Sequence, residues 1–278
     1  MVANVDPDDG QFEHGQIERG RLERGRLDNA ELTLTGRITS ASNATFLGSI
    51  DGVTVVYKPI AGERPLWDFP DGDLASRETA AYLVSEAFGW NVVPRTWLRD
   101  GPFGPGMVQL WQDVDSAQVA VDLVAAHAVP SEGWRLVFEG RDDDDQPVVL
   151  IHEDSLALRR MAVFDIVVNN ADRKGGHILT MTDGHRHGVD HGLTFHAEHK
   201  LRTILWGWLG EPLNGDELSG IERVRSQLQR AGDLSHALAV LLTEPEVAAL
   251  QARCDRLLAR RRFPAPHGEM PAMPWPLF

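Results

Sequence analysis

From Glu31 onward apolar and polar residues alternate, in ELTLTGRI, TFLGSI and VTVVYK, and that period of two predicts β-strands. Asp51-Gly52, between the last two runs, is a favoured two-residue hairpin turn, and the register it sets places Lys58 opposite Thr45. Lys58 thereby stands beside the loop SASNAT, Ser40 to Thr45, which is rich in hydroxyls and backbone donors. The period then changes. In LASRETAAYLVSEAFGW, residues Ala75, Thr79, Tyr82, Leu83, Ala87 and Phe88 follow the three-and-four spacing of an amphipathic helix that stops near Gly89. NVVPRTWLRD and GMVQLWQDV read as two further strands around the turn GPFGPG, so residues 31 to about 112 form a mainly antiparallel sheet with one helix.

The remainder reads as mostly helical. A helix is expected from about Ser116 to His127, a hairpin of WRLVFEG and PVVLIHE around RDDDDQ, and a long helix from about Asp154 to Asn169. Asp142 to Asp145 are read as a solvated turn. Past Glu217, two or three amphipathic helices follow, with Thr243 as an N-cap, and then a Pro-rich tail whose Trp275 and Phe278 are apolar enough to dock. Gly15, Gly20 and Gly25 recur every five residues near the start, a period that fits neither helix nor strand, and no chemical role is assigned to it.

Composition narrows the function classes. At 278 residues, with 42% hydrophobic and 24% charged, the chain is an ordinary globule large enough for two lobes around a cleft. The formal charge of −14 argues against a broad grip on nucleic acid or an anionic membrane, leaving room only for a local basic patch. Cys254 is the single cysteine, which excludes an internal disulfide and a cysteine zinc site. With no apolar leader and no run of about 18 apolar residues, a cytoplasmic protein without a transmembrane segment is expected.

The chemistry concentrates in NNADRKGGHILTMTDGHRHGVDHGLTF, Asn169 to Phe195. Taken as a two-residue turn, Asp183-Gly184 folds HILTM onto HRHGVD and sets His177 directly opposite Asp190. Asp172, in the loop five residues before His177, can reach the same mouth. A loop aspartate beside two cross-strand ligands is what phosphoryl transfer requires: an orienter or base for the nucleophile and a cation site for the phosphates.

These residues resemble a family. DRKGGH followed by VDHG resembles the catalytic loop and metal aspartate of the phosphatidylinositol 3/4-kinases, where the run is DRHxxN and a later IDFG. Lys58 on VVYKP resembles their phosphate-binding lysine, Glu78 its acidic partner, and MVQLWQD the strand and hinge that hold adenine. The chain as a whole resembles small actinobacterial proteins of PI3/4-kinase-like type, related more distantly to the HipA-type protein kinases.

The resemblance implies a two-lobed α+β kinase-like fold, with an N-terminal extension over 1–30, a β-rich lobe over 31–115 and a larger, mainly helical lobe over 116–278. It implies ATP and Mg²⁺ or Mn²⁺ as cofactors, Asp172 and Lys58 as catalytic residues, and His177 and Asp190 as metal ligands. Ser42, Asn43, Thr45, Lys58, Glu78, Gln109, Leu110 and Trp111 would surround the nucleotide. The acceptor would be a hydroxyl of a lipid, a protein or a small molecule. Two positions depart from the family pattern: His177 replaces an asparagine ligand, and Lys174 replaces a histidine. A non-catalytic nucleotide-binding pseudokinase therefore stands as the alternative, followed by an AMP transferase and a zinc hydrolase built on His177, Asp190 and His191. KLRTILWGWLGEPL takes the place of an activation loop, where Lys200, Arg202, Trp206 and Trp208 either meet substrate or pack the lower lobe.

Overall fold

The computed structural model describes residues 25–39, 41, 43–66, 68–69, 72–229, 232–268 and 271–278. Gly15, Gly20, Ser40 and Ser42 lie outside the described residues, as does the N-terminal extension up to residue 24. Strands β1 (Leu32–Arg37), β2 (Phe46–Ile50), β3 (Val53–Pro59), β4 (Thr96–Gly101) and β5 (Gly104–Leu110) form one antiparallel sheet in the order β1-β2-β3-β5-β4. Asp51 and Gly52 adopt φ of 52° and 81°, the left-handed pair that a tight hairpin turn needs. Phe46 faces Tyr57, so the expected register holds and Lys58 follows opposite Thr45. Alternation then separates the two faces of β3. Val55 and Tyr57 join a small core with Leu32, Ile50 and Val108, while Val56 and Lys58 turn to the other side.

Helix α1 (Leu74–Phe88) begins where Asp73 accepts a hydrogen bond from Ser76 N and ends at Gly89, φ 69°. Glu63 caps two more of its first amides, accepting from Leu74 N and Ala75 N. The rest comprises β6 (Val121–Ala125), β7 (Trp134–Arg141), β8 (Pro147–Glu153), α2 (Leu156–Val168), β9 (Ile178–Thr180), β10 (Arg186–Gly188), α3 (Gly215–Gln229), α4 (Asp233–Leu241) and α5 (Glu244–Arg260). The helix expected from Ser116 to His127 is not formed. Its place is taken by β6 and a short 3-10 turn over Ala126–Ala128, and the helical C-terminal part is therefore preceded by a three-stranded sheet, β6-β8-β7. The free edge of β8 decides the matter, because pairing Val121 with His152 and Val124 with Val149 satisfies the backbone and suits the β-branched valines.

The other expected elements are present. Ser155 caps α2, Asn169 ends it at φ 55°, and Thr243 with Glu246 forms a capping box on α5. Asp142 to Asp145 are exposed in the β7–β8 turn. A large core joins α1 to the C-terminal helices through Val84, Phe88, Phe164, Ile221, Leu250 and Leu257. Arg77 crosses the same junction, donating to Thr194 O at 2.6 Å and pairing with Glu246 at 2.5 Å. Among the described residues, no helix is long and apolar enough to cross a membrane.

Candidate active site

The loop after α2 is held from beneath by a buried ion pair. Arg173 places Nε and Nη2 on the two oxygens of Asp165, at 2.9 and 2.8 Å, and both side chains are fully buried. The same guanidinium donates to His177 O and Val189 O and meets His191 Nε2 at 2.6 Å. It therefore ties the loop to both strands of the β9–β10 hairpin. Gly188 is needed for this approach, since a Cβ there would lie 2.8 Å from Arg173 Nη2. Sequence reasoning missed Arg173 and Asp165, although a lone acid inside the apolar run AVFDIVV is a visible signal of a buried partner.

On this base, Asn170 Oδ1 accepts from Asp172 N at 3.0 Å, and the Asp172 carboxylate lies 3.1 Å from Lys174 Nζ. His177 Nδ1 is 2.9 Å from Asp172 O, and its Nε2 is 3.6 Å from Asp190 Oδ2. The carbonyl fixes the tautomer, since Nδ1–H donates and Nε2 keeps its lone pair toward Asp190.

The route by which Asp190 arrives differs from expectation. Arg186 pairs with Thr180 and Gly188 with Ile178, so the turn has three residues, Thr182, Asp183 and Gly184, closed by Met181 N to His185 O at 3.0 Å. Gly184, at φ 85°, takes the left-handed position of such a turn. His177 consequently faces Val189, whose amide donates to His177 O. Asp190 reaches His177 through its own backbone, at φ 60°, which swings the carboxylate back over the hairpin mouth.

Lys58 closes the group from the sheet side. Its Nζ is 2.8 Å from Glu78 Oε1 and also bonds Asp190. Burial works against the Lys58 charge, but the Asp190 and Glu78 carboxylates outweigh it and push the amine above its ordinary pKa. Lys58 in turn holds the Asp190 carboxyl well below its usual range. Burial raises Glu78, against the pull of Lys58, and its Oε2 is buried with no partner among the described residues. Burial likewise lowers the pKa of His177, so it remains neutral.

Two cavities meet at Lys58 and Asp190. One, of 340 Å³, is lined by Asn43, Thr45, Arg64, Glu78 and Asp172 among others; the second, of 600 Å³, by Val56, Gln109, Leu110, Trp111, Leu179 and Val189. The described candidate residues other than His177 thus line two adjoining cavities, and His177 stands behind them, hydrogen-bonded to Asp172 O and 3.6 Å from Asp190. Several have local partners. Asn43 Oδ1 accepts from Arg64 N, Thr45 Oγ1 donates to Asn43 O, and Gln109 Nε2 donates to Thr96 Oγ1. Arg64, a cation on the wall of the first cavity, was not singled out from sequence.

The zinc arrangement is not formed, because His191 is buried on Arg173, while His185 bonds Asn91 O beside the turn. Among the described residues, no group of three His, Cys, Asp or Glu side chains could hold a metal ion. Trp208 is buried with Nε1 on Asp154, Trp206 Nε1 donates to Ala272 O, and Arg202 Nε donates to Ala171 O, so these residues pack the lower part. The tail docks at Phe278, whose ring covers Gly175 while Leu277 O accepts from Gly175 N, whereas Trp275 stays 85% exposed.

No protein-family model matches the chain. It is 50% identical over 263 residues to protein Rv2133c of Mycobacterium tuberculosis, an alignment covering 90% of this chain and 93% of that protein. The chain belongs to the Rv2133c family. A mycobacterial member agrees with the actinobacterial part of the resemblance. Among solved structures, this chain has a likeness to the Helicobacter pylori proinflammatory kinase CtkA, at 12% identity and a TM-score of 0.45, covering 84% of this chain and 94% of that one.

Proposed function

We propose that this member of the Rv2133c family is an ATP- and divalent-cation-dependent phosphotransferase of PI3/4-kinase-like type that moves the γ-phosphoryl group to a hydroxyl. The observation that carries the reading is Lys58, held between Glu78 and Asp190 at the junction of two cavities, with Asp172 on the wall of the smaller one. Lys58 stays charged and would hold phosphate oxygens, with Arg64 and the loop around Asn43 beside it. The apolar wall of Val56, Leu110 and Leu179 would take the base. Asp172 would orient the acceptor hydroxyl and receive its proton, and Lys174, paired with that carboxylate, would limit repulsion from the phosphates.

The donor set fits a cation. His177 Nε2 and Asp190 Oδ2 face each other with a lone pair and a charge, and Glu78 Oε2 lacks a partner among the described residues. Two protein ligands completed by phosphate and water suit Mg²⁺ or Mn²⁺ better than a closed zinc cage. Such an ion, held by His177 and Asp190, would neutralise charge on the phosphates. The acceptor is read only as a hydroxyl of a lipid, protein or small molecule. The Asp172–Lys174 pair, which occupies the acceptor-orienting carboxylate, favours a non-catalytic nucleotide binder as the second reading.

Calorimetric titration of ATP with Mg²⁺ or Mn²⁺, followed by mass analysis of the nucleotide, tests the proposal. Wild type should bind only with the cation and yield ADP. Asp190→Ala should lose binding, and Asp172→Asn should keep binding and lose turnover. AMP with pyrophosphate would reassign the reaction to AMP transfer, binding without turnover would favour the second reading, and no binding by folded wild type would overturn both.

A further inference from the structure

Arg253, Arg256 and Arg260 on α5, with Arg262 just beyond it, line one small cavity together with His199 and His267. No carboxylate among the described residues lines it, in a chain of formal charge −14. Cations near a helix C-terminus are favoured by the macrodipole, which accounts for Arg260. Arg253, two turns earlier, is different, because its side chain is buried at 7% exposure. Its Nε donates to Val167 O at 2.7 Å and its Nη1 lies 3.4 Å from His196 O, while Nη2 is buried without a partner among the described residues. A buried donor left unmade is costly, and more so when it is charged. The neighbouring acids are committed elsewhere: Asp255 to Arg225, Glu246 to Arg77 and Glu198 to Lys200. His199 and His267 stack with ring centroids 3.7 Å apart, offering further donors at the mouth.

We propose that this cavity binds a compact tetrahedral oxyanion of the phosphate class, at a site separate from the cleft of Lys58 and Asp190. Guanidinium forks match phosphate oxygens in geometry and charge, and one dianion would offset several clustered cations and approach the orphan donor. The enclosed room is small, about 30 Å³, so the ion would sit at the mouth among the arginine side chains with one of its oxygens reaching inward. Occupancy would be felt at the loop that carries Asp172, since His199 and Leu201 line the cavity and Arg253 also contacts His196 O. Asn169, the C-cap of α2, donates to His196 O and Glu198 O at 2.9 and 2.7 Å and accepts from Lys200 N. The next residue, Asn170, accepts from Arg202 N and orients the amide of Asp172.

The test is a titration of the full chain with inorganic phosphate, at ionic strength matched with chloride, read by thermal midpoint and by hydrogen exchange. The variants are Arg256→Ala with Arg260→Ala, both at exposed positions, and separately Lys58→Met to remove phosphate binding in the cleft. Phosphate should raise the midpoint saturably in wild type and Lys58→Met alike and slow exchange over 196–201, and the arginine double variant should weaken binding at least tenfold. An effect that survives the double variant, vanishes in Lys58→Met, or does not exceed chloride would overturn the proposal. None of these outcomes depends on whether the cleft carries out phosphoryl transfer.

Discussion

His177 turns Nε2 toward Asp190 because Asp172 O holds Nδ1 at 2.9 Å, so an imidazole nitrogen stands at the proposed cation site. Nitrogen binds Mn²⁺ more willingly than Mg²⁺, and an amide oxygen reverses the preference. His177→Asn is therefore expected to shift the ratio of ATP affinities, Mn²⁺ over Mg²⁺, roughly tenfold toward Mg²⁺, and an unchanged calorimetric ratio would remove His177 from the ligand set. Arg173 supports a stability prediction. Arg173→Met leaves the Asp165 carboxylate buried with Asn170 Nδ2 as its remaining side-chain donor, and should cost about 3–5 kcal/mol in urea unfolding. Adding Asp165→Leu should recover much of that loss; a single-variant cost under about 1 kcal/mol would contradict a structural role for the pair. Lys58, Glu78, Asp172, His177 and Asp190 were legible as residue types at a spacing, whereas Arg64 was not. The ion pair beneath them was less so, because its two members are eight residues apart on different elements.

The β9–β10 hairpin shows what spacing leaves open at the level of an element. Asp-Gly fits a two-residue turn and equally a three-residue turn with glycine at the left-handed position, and the strands choose the second. A one-residue difference in register exchanges the two faces of the hairpin. Deleting Thr182 leaves Met181 opposite His185 across a two-residue Asp183-Gly184 turn, so the pairing of β9 with β10 and cation-dependent ATP binding should both survive. Gly184→Ala, at φ 85° with nothing within 4 Å of the added Cβ, should cost only about 1–2 kcal/mol and leave binding intact. Loss of cation-dependent ATP binding in a Thr182 deletion that still folds would show that the three-residue turn itself, and not the strand register, positions Asp190. The segment around Val121 carries a related lesson. A short apolar run with valines suits helix or strand alone, and the unpaired edge of β8 made it a strand.

Across the whole molecule, the second sheet is joined through His152 to the segment carrying Gly207 and Trp208, and that joint makes stability depend on pH. His152 Nδ1–H donates to Glu153 O at 2.9 Å, its Nε2 accepts from Gly207 N at 3.1 Å, and its ring lies against Trp208 with centroids 4.3 Å apart. Gly207 is required, since a Cβ there would sit 2.5 Å from His152 Nε2. Neither contact could be read from the sequence, where 55 residues separate the partners, and the ring's neutrality follows from the fold alone. Burial lowers its pKa to about 4, and His187 and His199 are likewise lowered to about 4. The unfolded chain, with histidines near 6.5, binds more protons than the folded one between those values. Stability from these groups is therefore complete above about pH 6.5 and is lost as the pH falls toward 4. The raised carboxyls of Glu63 and Glu78 act in the opposite direction, so the histidine contribution has to be isolated by substitution. His152→Gln should reduce the slope of unfolding free energy against pH by about 1 kcal/mol per unit near pH 5, measured by urea denaturation between pH 4.5 and 7. An unaltered slope would mean that His152 is protonated in the folded protein and that the Gly207 amide is not held by its lone pair.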